Sequence, residues 1–176
     1  MTDATETQHI PLQSPDDAQA TQIKVRRFLA VADGTEESMV AIRYAALRAK
    51  NTGGRLTVLN IIEPVEFQHW NTVAEAMRAE ALEESEDLLV QVKLLVQSDC
   101  GMVPDTVIKE GKSTEVIVGL IEEDHGINLL VLGAAITSDG PGPLVNQLIN
   151  QSVGALPIPI TIVPGSMSDD TMRAVT

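Results

Sequence analysis

The sequence predicts a three-layer α/β fold, in which helices cover both faces of a five-stranded parallel sheet. Three observations predict it. Short apolar runs alternate along the chain with segments of helical periodicity, and the runs are apolar at successive positions, as in strands buried on both faces. The chain has 176 residues, 44% of them hydrophobic, which suits a single core. The expected order is β-α-β-α-β-α-β-α-β.

Local signals define each element in turn. Residues 28–32 form an apolar run that ends at Asp33, and Thr35 is a helix cap followed by acidic residues. Gly53 ends this helix. The remaining predicted elements are a strand over 56–62, a long acidic helix over 72–98, a weaker strand over 105–109, a helix capped by Ser113 and closed by Gly126, a strand over 128–132, a helix over 143–155 and a strand over 158–163. Together they predict a Rossmann-like sandwich.

The two ends of the chain differ from this pattern. Residues 1–24 are polar and acidic and show no hydrophobic period, so they predict a disordered acidic N-terminal tail. Residues 166–176 have the same polar character and predict a flexible C-terminal tail. The folded domain is therefore expected over 25–165.

Charge and hydropathy restrict the partners. The chain has 25 Asp and Glu against 12 Lys and Arg, a formal net charge of −13. Its longest basic cluster is Arg26-Arg27, so nucleic acid is not an expected partner. The longest apolar stretch, 127–136, is far shorter than the roughly 20 residues that span a bilayer. The N-terminus also lacks the features of a signal peptide. We expect a cytoplasmic protein without a membrane partner.

Motifs for catalysis or metal binding are not evident. His9, His69 and His125 lack the spacing of zinc ligands, and Cys100 has no second thiol to pair with. Cys100 is interpreted as a packing residue. No nucleophile elbow or Ser-His-Asp order is present. We expect no metal site and no enzymatic activity.

The architecture itself points to a crevice. Open parallel sheets bind ligands beyond the carboxyl ends of their strands, where the strand order reverses. If strand four lies beside strand one, Asp33 and Gly133 face each other there. The loop that begins at Gly133 is a poor phosphate cradle, because Pro141 and Pro143 lack an N–H group and Asp139 adds a carboxylate.

Several segments together resemble the universal stress protein family. They are Val31 to Ser38, Leu59 to Pro64, Lys109 to Lys112, Leu129 to Gly133 and Ile158 to Pro164. The resemblance covers nearly the whole folded domain. It implies the adenine nucleotide alpha hydrolase-like version of the Rossmann fold, as in UspA, and a role in the stress response.

The resemblance also implies a degenerate ATP motif. ATP-binding members carry G-x2-G-x9-G-[S/T] after the fourth strand. From Gly133 that register falls on Ile136, Asn146 and Gln147, so only the first glycine is kept. Ile136 is β-branched where a phosphate needs close backbone approach. Tight ATP binding is therefore not expected.

An adenine pocket remains an open alternative. In the family, an aspartate after strand one matches Asp33, and a strand-two backbone position beside adenine matches Ile61, although Asp33 is equally typical of a simple turn. The full candidate nucleotide set is Ala32, Asp33, Ile61, Gly133, Ile136, Asn146 and Gln147. On this alternative the protein is an ATP or AMP sensor. The resemblance leaves the roles of His69 and Trp70, in the loop after strand two, open.

The last strand is a candidate dimer interface. Residues Ile160, Thr161, Ile162 and Val163 form an edge strand that a second copy would cover, as the resemblance implies. The resulting expectation is a homodimeric, non-enzymatic stress-response or regulatory protein that needs no cofactor and acts through a protein partner whose identity is unknown.

Overall fold

The computed structural model describes residues 25–64, 71–136, 140–152 and 156–176. The predicted N-terminal tail, His9, His69, Trp70 and Asp139 lie outside these ranges. The elements are β1 (Arg27–Ala32), α1 (Glu36–Asn51), β2 (Arg55–Ile62), α2 (Asn71–Cys100), β3 (Asp105–Glu110), α3 (Ser113–Glu123), β4 (Ile127–Ala134), α4 (Pro143–Ser152), β5 (Ile160–Pro164) and α5 (Asp169–Val175).

The sheet has five strands in the order β3-β2-β1-β4-β5, and all neighbouring strands are parallel. The predicted three-layer α/β fold is confirmed. Because β4 returns to the far side of β1, the strand order reverses between these two strands. Their carboxyl ends lie where ligands of open parallel sheets bind.

Alternate residues of β1 enter two separate cores. Phe28 and Ala30 pack with buried residues of α1 and α2, whereas Leu29 and Val31 pack with those of α3 and α4. These side chains are at most 5% exposed. Burial on both faces explains why the strand sequence is a continuous apolar run rather than an alternating one.

Helix α1 starts as its sequence predicts. The Thr35 side chain accepts a hydrogen bond from the Ser38 backbone N–H at 3.2 Å, and the Ser38 hydroxyl donates to the Thr35 carbonyl at 2.9 Å. The first turn carries Glu36 and Glu37, whose charges favour a helix N-terminus. The cap fixes the direction in which α1 leaves the end of β1.

The predicted flexible C-terminal tail is wrong for the end of the chain. Helix α5 forms there, capped by the Ser168 side chain, which accepts from the Thr171 N–H at 3.3 Å. Met172 is 1% exposed, and Asp169 accepts a hydrogen bond from Arg43 at 2.9 Å. The buried Met172 side chain attaches this segment to the domain, although most residues of the segment are polar.

None of the helices within the described ranges combines the length and the apolar content needed to cross a membrane.

Candidate functional site

A small crevice lies at the carboxyl ends of the strands. Its cavity measures about 220 Å³. It is lined by Val31, Ala32, Asp33, Ile61, Glu63, Ser113, Pro143, Leu144 and Gln147. Small-molecule sites usually measure about 300 to 1,000 Å³. This cavity alone is smaller, and a second cavity of about 410 Å³ beside it shares Asp33, Ile61 and Glu63.

The candidate nucleotide residues divide into two groups. Ala32, Asp33, Ile61 and Gln147 line this cavity together. Gly133, Ile136 and Asn146 do not line it, and Ile136 is 64% exposed. The positions matching the base and ribose thus come together, whereas most positions matching the phosphate motif lie outside.

Asp33 organises the turn between β1 and α1. Its Oδ1 atom accepts from the Thr35 backbone N–H at 3.0 Å and from the Thr35 hydroxyl at 2.7 Å. These bonds form because the short aspartate side chain reaches the backbone and side chain two residues further along the chain. The turn-forming role of Asp33 is therefore present in the structure, whatever else its carboxylate contacts.

Asn60 holds the end of β1 from the neighbouring strand. Its Nδ2 donates to the Ala32 carbonyl at 2.8 Å, and the side chain is 7% exposed. The backbone acceptor of Ala32 is thus already used. Sequence reasoning missed Asn60, although a single asparagine inside the apolar run 56–62 is the signal that marks it.

Glu63 places a carboxylate at the start of α3. Its Oε1 atom accepts from the Ser113 hydroxyl at 2.6 Å and the Ser113 backbone N–H at 3.2 Å. The Ser113 hydroxyl, followed by this N–H, lowers the pKa of Glu63 below its ordinary value. Because N–H groups at a helix N-terminus favour anions, the Glu63 carboxylate supplies the anion at the start of α3.

The predicted cap at Ser113 is wrong in detail. Ser113 is the first residue of α3, and the cap position belongs to Lys112, which makes no side-chain cap hydrogen bond. Glu63 performs the capping from the end of β2. A contact between residues 50 positions apart leaves no local pattern in the sequence.

Gly133 allows β4 to pack against α1, and it does not line the crevice. A Cβ atom at this position would overlap the Glu37 carbonyl and lie 2.8 Å from the Ser38 backbone nitrogen. Only glycine allows β4 to pass this close to the first turn of α1. The glycine that matches the ATP motif is therefore required by the fold.

Some backbone groups at the start of α4 cannot donate to a ligand. The helix begins at Pro143, which has no N–H, and the Asn146 N–H donates to the Gly142 carbonyl at 3.1 Å. Upstream, the Ala135 N–H donates to the Pro141 carbonyl at 3.2 Å. Pro143 and the N–H groups of Ala135 and Asn146 are therefore not available to a phosphate at this position.

The charge of the crevice also disfavours anions. Among the described residues, its lining includes the carboxylates of Asp33 and Glu63 and no lysine or arginine. Elsewhere in the described part of the chain, no group of three or more His, Cys, Asp or Glu side chains is arranged to hold a metal ion. Cys100 is buried, and burial, followed by the charge of Asp99, raises its pKa.

Strand β5 is an edge of the sheet within the described residues, where its only partner is β4. The four candidate interface residues are not equivalent. Ile162 is 40% exposed, Ile160 and Thr161 are half-buried, and Val163 is 1% exposed because it packs in the core beside α1. A partner strand would contact the β5 backbone and Ile162 rather than the Val163 side chain.

Several solved structures of universal stress proteins share this fold. The universal stress protein UspA from Lactobacillus plantarum matches 78% of this chain and 97% of its own with a TM-score of 0.67 at 17% identity. A member from Burkholderia pseudomallei matches 81% of this chain and 98% of its own, with a TM-score of 0.56 at 16% identity. A universal stress protein in complex with cAMP matches 81% of this chain and 98% of its own, with a TM-score of 0.56 at 14% identity.

At these identities the structural likeness shows the fold alone. No match is found among curated proteins. The family assignment comes from the sequence itself, because the family model described as "Universal stress protein family" matches residues 24–164, which contain β1 to β5. The chain belongs to the universal stress protein family.

Proposed function

We propose that this chain is a homodimeric, non-enzymatic regulatory protein of the cytoplasmic stress response that does not bind ATP tightly. The main support for weak ATP binding is that the Glu63 carboxylate is bound to the N-terminus of α3 inside the crevice. A triphosphate entering there would meet this charge and that of Asp33, without a basic side chain from the lining to offset them. Signalling would then depend on a protein partner.

A thermal melt with nucleotides tests the first part of this proposal. Nucleotide-stripped protein is melted with and without 1 mM ATP, ADP or AMP. A ligand present at about 100 times its Kd adds about 2.7 kcal/mol, which is a shift of about 5 to 10 °C for a chain of this size. We expect no such shift with ATP, and a shift of that size would contradict the proposal.

A repaired variant is the matched positive control. Ile136→Gly, Asn146→Gly and Gln147→Ser together restore the family's ATP pattern in this chain. Adding Glu63→Gln removes the competing carboxylate. A shift with ATP in the repaired variant, but not in the natural chain, would show that these positions account for weak binding.

Dimer formation through β5 has its own support. An exposed edge strand with a large apolar side chain is a template for pairing with another strand, and a second copy removes the edge. Ile162 supplies that side chain at 40% exposure. The proposed interface is two β5 strands related by a two-fold axis.

Light scattering measures this directly. The natural chain should have the mass of two copies at tens of micromolar, and Ile162→Lys should give the mass of one, because a charged side chain is disfavoured in an apolar contact. Val90→Lys, at an exposed site on α2, is the control and should stay dimeric. A monomeric natural chain would refute the dimer.

An adenine-nucleotide sensor is the second candidate. It is favoured because Ala32, Asp33, Ile61 and Gln147 do share one cavity, and because one structural neighbour is a universal stress protein in complex with cAMP. It requires a small nucleotide, such as AMP, to stabilise the protein in the same melt. Asp33→Ala should abolish that gain, whereas Glu83→Ala on the exposed face of α2 should not.

A further inference from the structure

A second cavity, rich in arginine, lies at the opposite end of the strands from the crevice. It lies at the amino ends of β1 and β4, beside the C-terminal end of α1, and measures about 370 Å³. It is lined by Arg26, Arg27, Phe28, Arg48, Asn128 and Leu129. We call this cavity the arginine cleft. It is separate from the crevice, which shares no lining residue with it.

The charge of the arginine cleft opposes that of the whole chain. The protein carries a net charge of −13, yet of the six described residues that line the cleft three are arginines and none is acidic. Arg27 forms an ion pair with Asp124. Arg26 and Arg48 form no ion pair with any described residue. Two guanidinium charges therefore remain without a carboxylate partner among those residues.

Arg48 is also incompletely hydrogen-bonded. Its Nε atom is buried and has no partner among the described residues, and its Nη1 atom donates only to the Val175 carbonyl, at 3.4 Å. A buried donor that lacks an acceptor costs free energy, and a charged one costs more. An oxyanion in the cleft would offer acceptor oxygens to the Arg48 guanidinium, which makes one long hydrogen bond within the described part of the chain.

The backbone around the cleft is held in place. The Arg26 carbonyl accepts from the Arg55 N–H at 2.7 Å, and the Arg27 N–H donates to Asn128 Oδ1 at 2.9 Å. The latter bond uses the oxygen of the Asn128 side chain and leaves its amide nitrogen as a donor. Phe28, which is 3% exposed, adds a rigid apolar wall. The cleft thus presents donors on a fixed frame.

We propose that the arginine cleft binds a multiply charged oxyanion, a phosphate-bearing group in particular. Guanidinium groups match phosphate and carboxylate oxygens in bidentate geometry, and such charge-assisted hydrogen bonds are the strongest in proteins. A cavity of about 370 Å³ falls within the range of small-molecule sites. Oxyanions can come from a free polyphosphate or from the four acidic residues of the segment before Arg26, which are Asp3, Glu6, Asp16 and Asp17.

Titration with inorganic tripolyphosphate at constant ionic strength tests the proposal, by calorimetry on the full chain. Arg26→Gln with Arg48→Gln should weaken binding at least about tenfold, since each removes a charge-assisted contact. Lys93→Gln with Lys109→Gln removes the same charge on α2 and β3, away from the cleft, and should change binding less than about twofold. Equal losses in the two double variants would mean non-specific charge attraction and overturn the proposal.

A third variant separates the two sources of oxyanion. In it, Asp3, Asp16 and Asp17 become Asn and Glu6 becomes Gln, within the full chain. Binding of the probe to the natural chain identifies a free anion as the ligand. Binding only to the neutralised variant shows that the chain's own carboxylates occupy the cleft. Binding to neither refutes the site.

Two checks keep these outcomes clear. If the double arginine variant fails to fold by circular dichroism, Arg26→Gln alone repeats the test, because Arg26 is exposed and carries little packing. Gln147→Leu, which removes an amide donor from the crevice, is measured in parallel. Loss of tripolyphosphate binding in Gln147→Leu, with normal binding after the arginine changes, would place the anion in the crevice instead and overturn the proposal.

Discussion

Gly133 lies where β4 passes the first turn of α1. The space that a side chain would need is filled by the Glu37 carbonyl and the Ser38 nitrogen, both of them backbone atoms that the N-terminus of α1 fixes. Backbone cannot swing aside as the end of a flexible side chain can. A glycine that the family pattern assigns to phosphate binding is therefore needed here for helix–sheet contact.

Gly133→Ala should destabilise the protein by about 2 to 3 kcal/mol, because the helix and strand must move apart. Urea unfolding followed by circular dichroism measures this. Gly119→Ala is the matched control, since nothing lies within 4 Å of the added Cβ and the position is inside α3. It should stabilise by about 0.5 to 1 kcal/mol through helix propensity. Equal effects at the two glycines would contradict the packing argument.

Glu63→Gln should lower the free energy of unfolding at pH 7 by about 1 kcal/mol, the usual value of a helix cap. The folded-state pKa of Glu63 is lowered, so its contribution is present above the ordinary pKa of glutamate and is lost as the pH falls through the folded value. The difference between variant and natural chain should therefore shrink below about pH 4. Glu83→Gln, on the exposed face of α2, should show no such pH dependence.

Helix α5 closes the side of the molecule where α1 and α2 meet. Arg43 of α1 donates to Asp99 of α2 at 2.6 Å and to Asp169 of α5 at 2.9 Å, so one guanidinium joins three helices. Met172 is buried in the same place, where it lines a small gap together with Cys100. The C-terminal helix is thus part of the folded domain.

Met172→Ala should cost about 2 to 4 kcal/mol, as other buried methionines do. It should also speed the reaction of Cys100 with a thiol reagent, because burial by its neighbours keeps this thiol protected and raises its pKa. The chain has one cysteine, so the label reports on this site alone. Val175→Ala, at a position 48% exposed, is the control. Unchanged labelling in Met172→Ala would contradict the role given to α5.

The net charge of −13 acts on the molecule as a whole, because like charges on one compact domain repel. Several basic residues are committed to local ion pairs, with Arg78 bound to Glu110 and Lys109 to Glu123. These pairs are exposed and contribute little. We therefore expect the long-range repulsion between the remaining carboxylates to be the larger electrostatic effect on the fold.

Added salt should therefore stabilise the protein. Raising NaCl from about 10 mM to about 150 mM shortens the screening length from about 30 Å to about 8 Å, which is less than the width of the domain. We expect the melting temperature at pH 7 to rise. Neutralising Glu83 and Glu86 to Gln, on the exposed face of α2, should raise it at low salt and reduce the salt effect. A melting temperature that falls with salt would show that the surface ion pairs dominate.

Prediction succeeded where the signal was local. The run from Phe28 to Ala32 and the cap at Thr35 each have their cause within a few residues, and both are confirmed. Prediction failed where a feature depends on residues far away in the sequence. The bond from Ser113 to Glu63 and the burial of Met172 depend on residues that are brought together only by the fold.

The sequence by itself determined the fold class and the family, because burial on both faces and the βαβ connections permit few arrangements. Only the tertiary structure decided the strand order and what lies in the crevice. It packs Gly133 against α1 and places Glu63 on α3, and it sets Arg48 beside Arg26 at the opposite end of the strands. A hydrophobic pattern can be seen in neighbouring residues of the sequence. A site is formed by contacts between residues far apart in the sequence, and such contacts produce no periodic pattern.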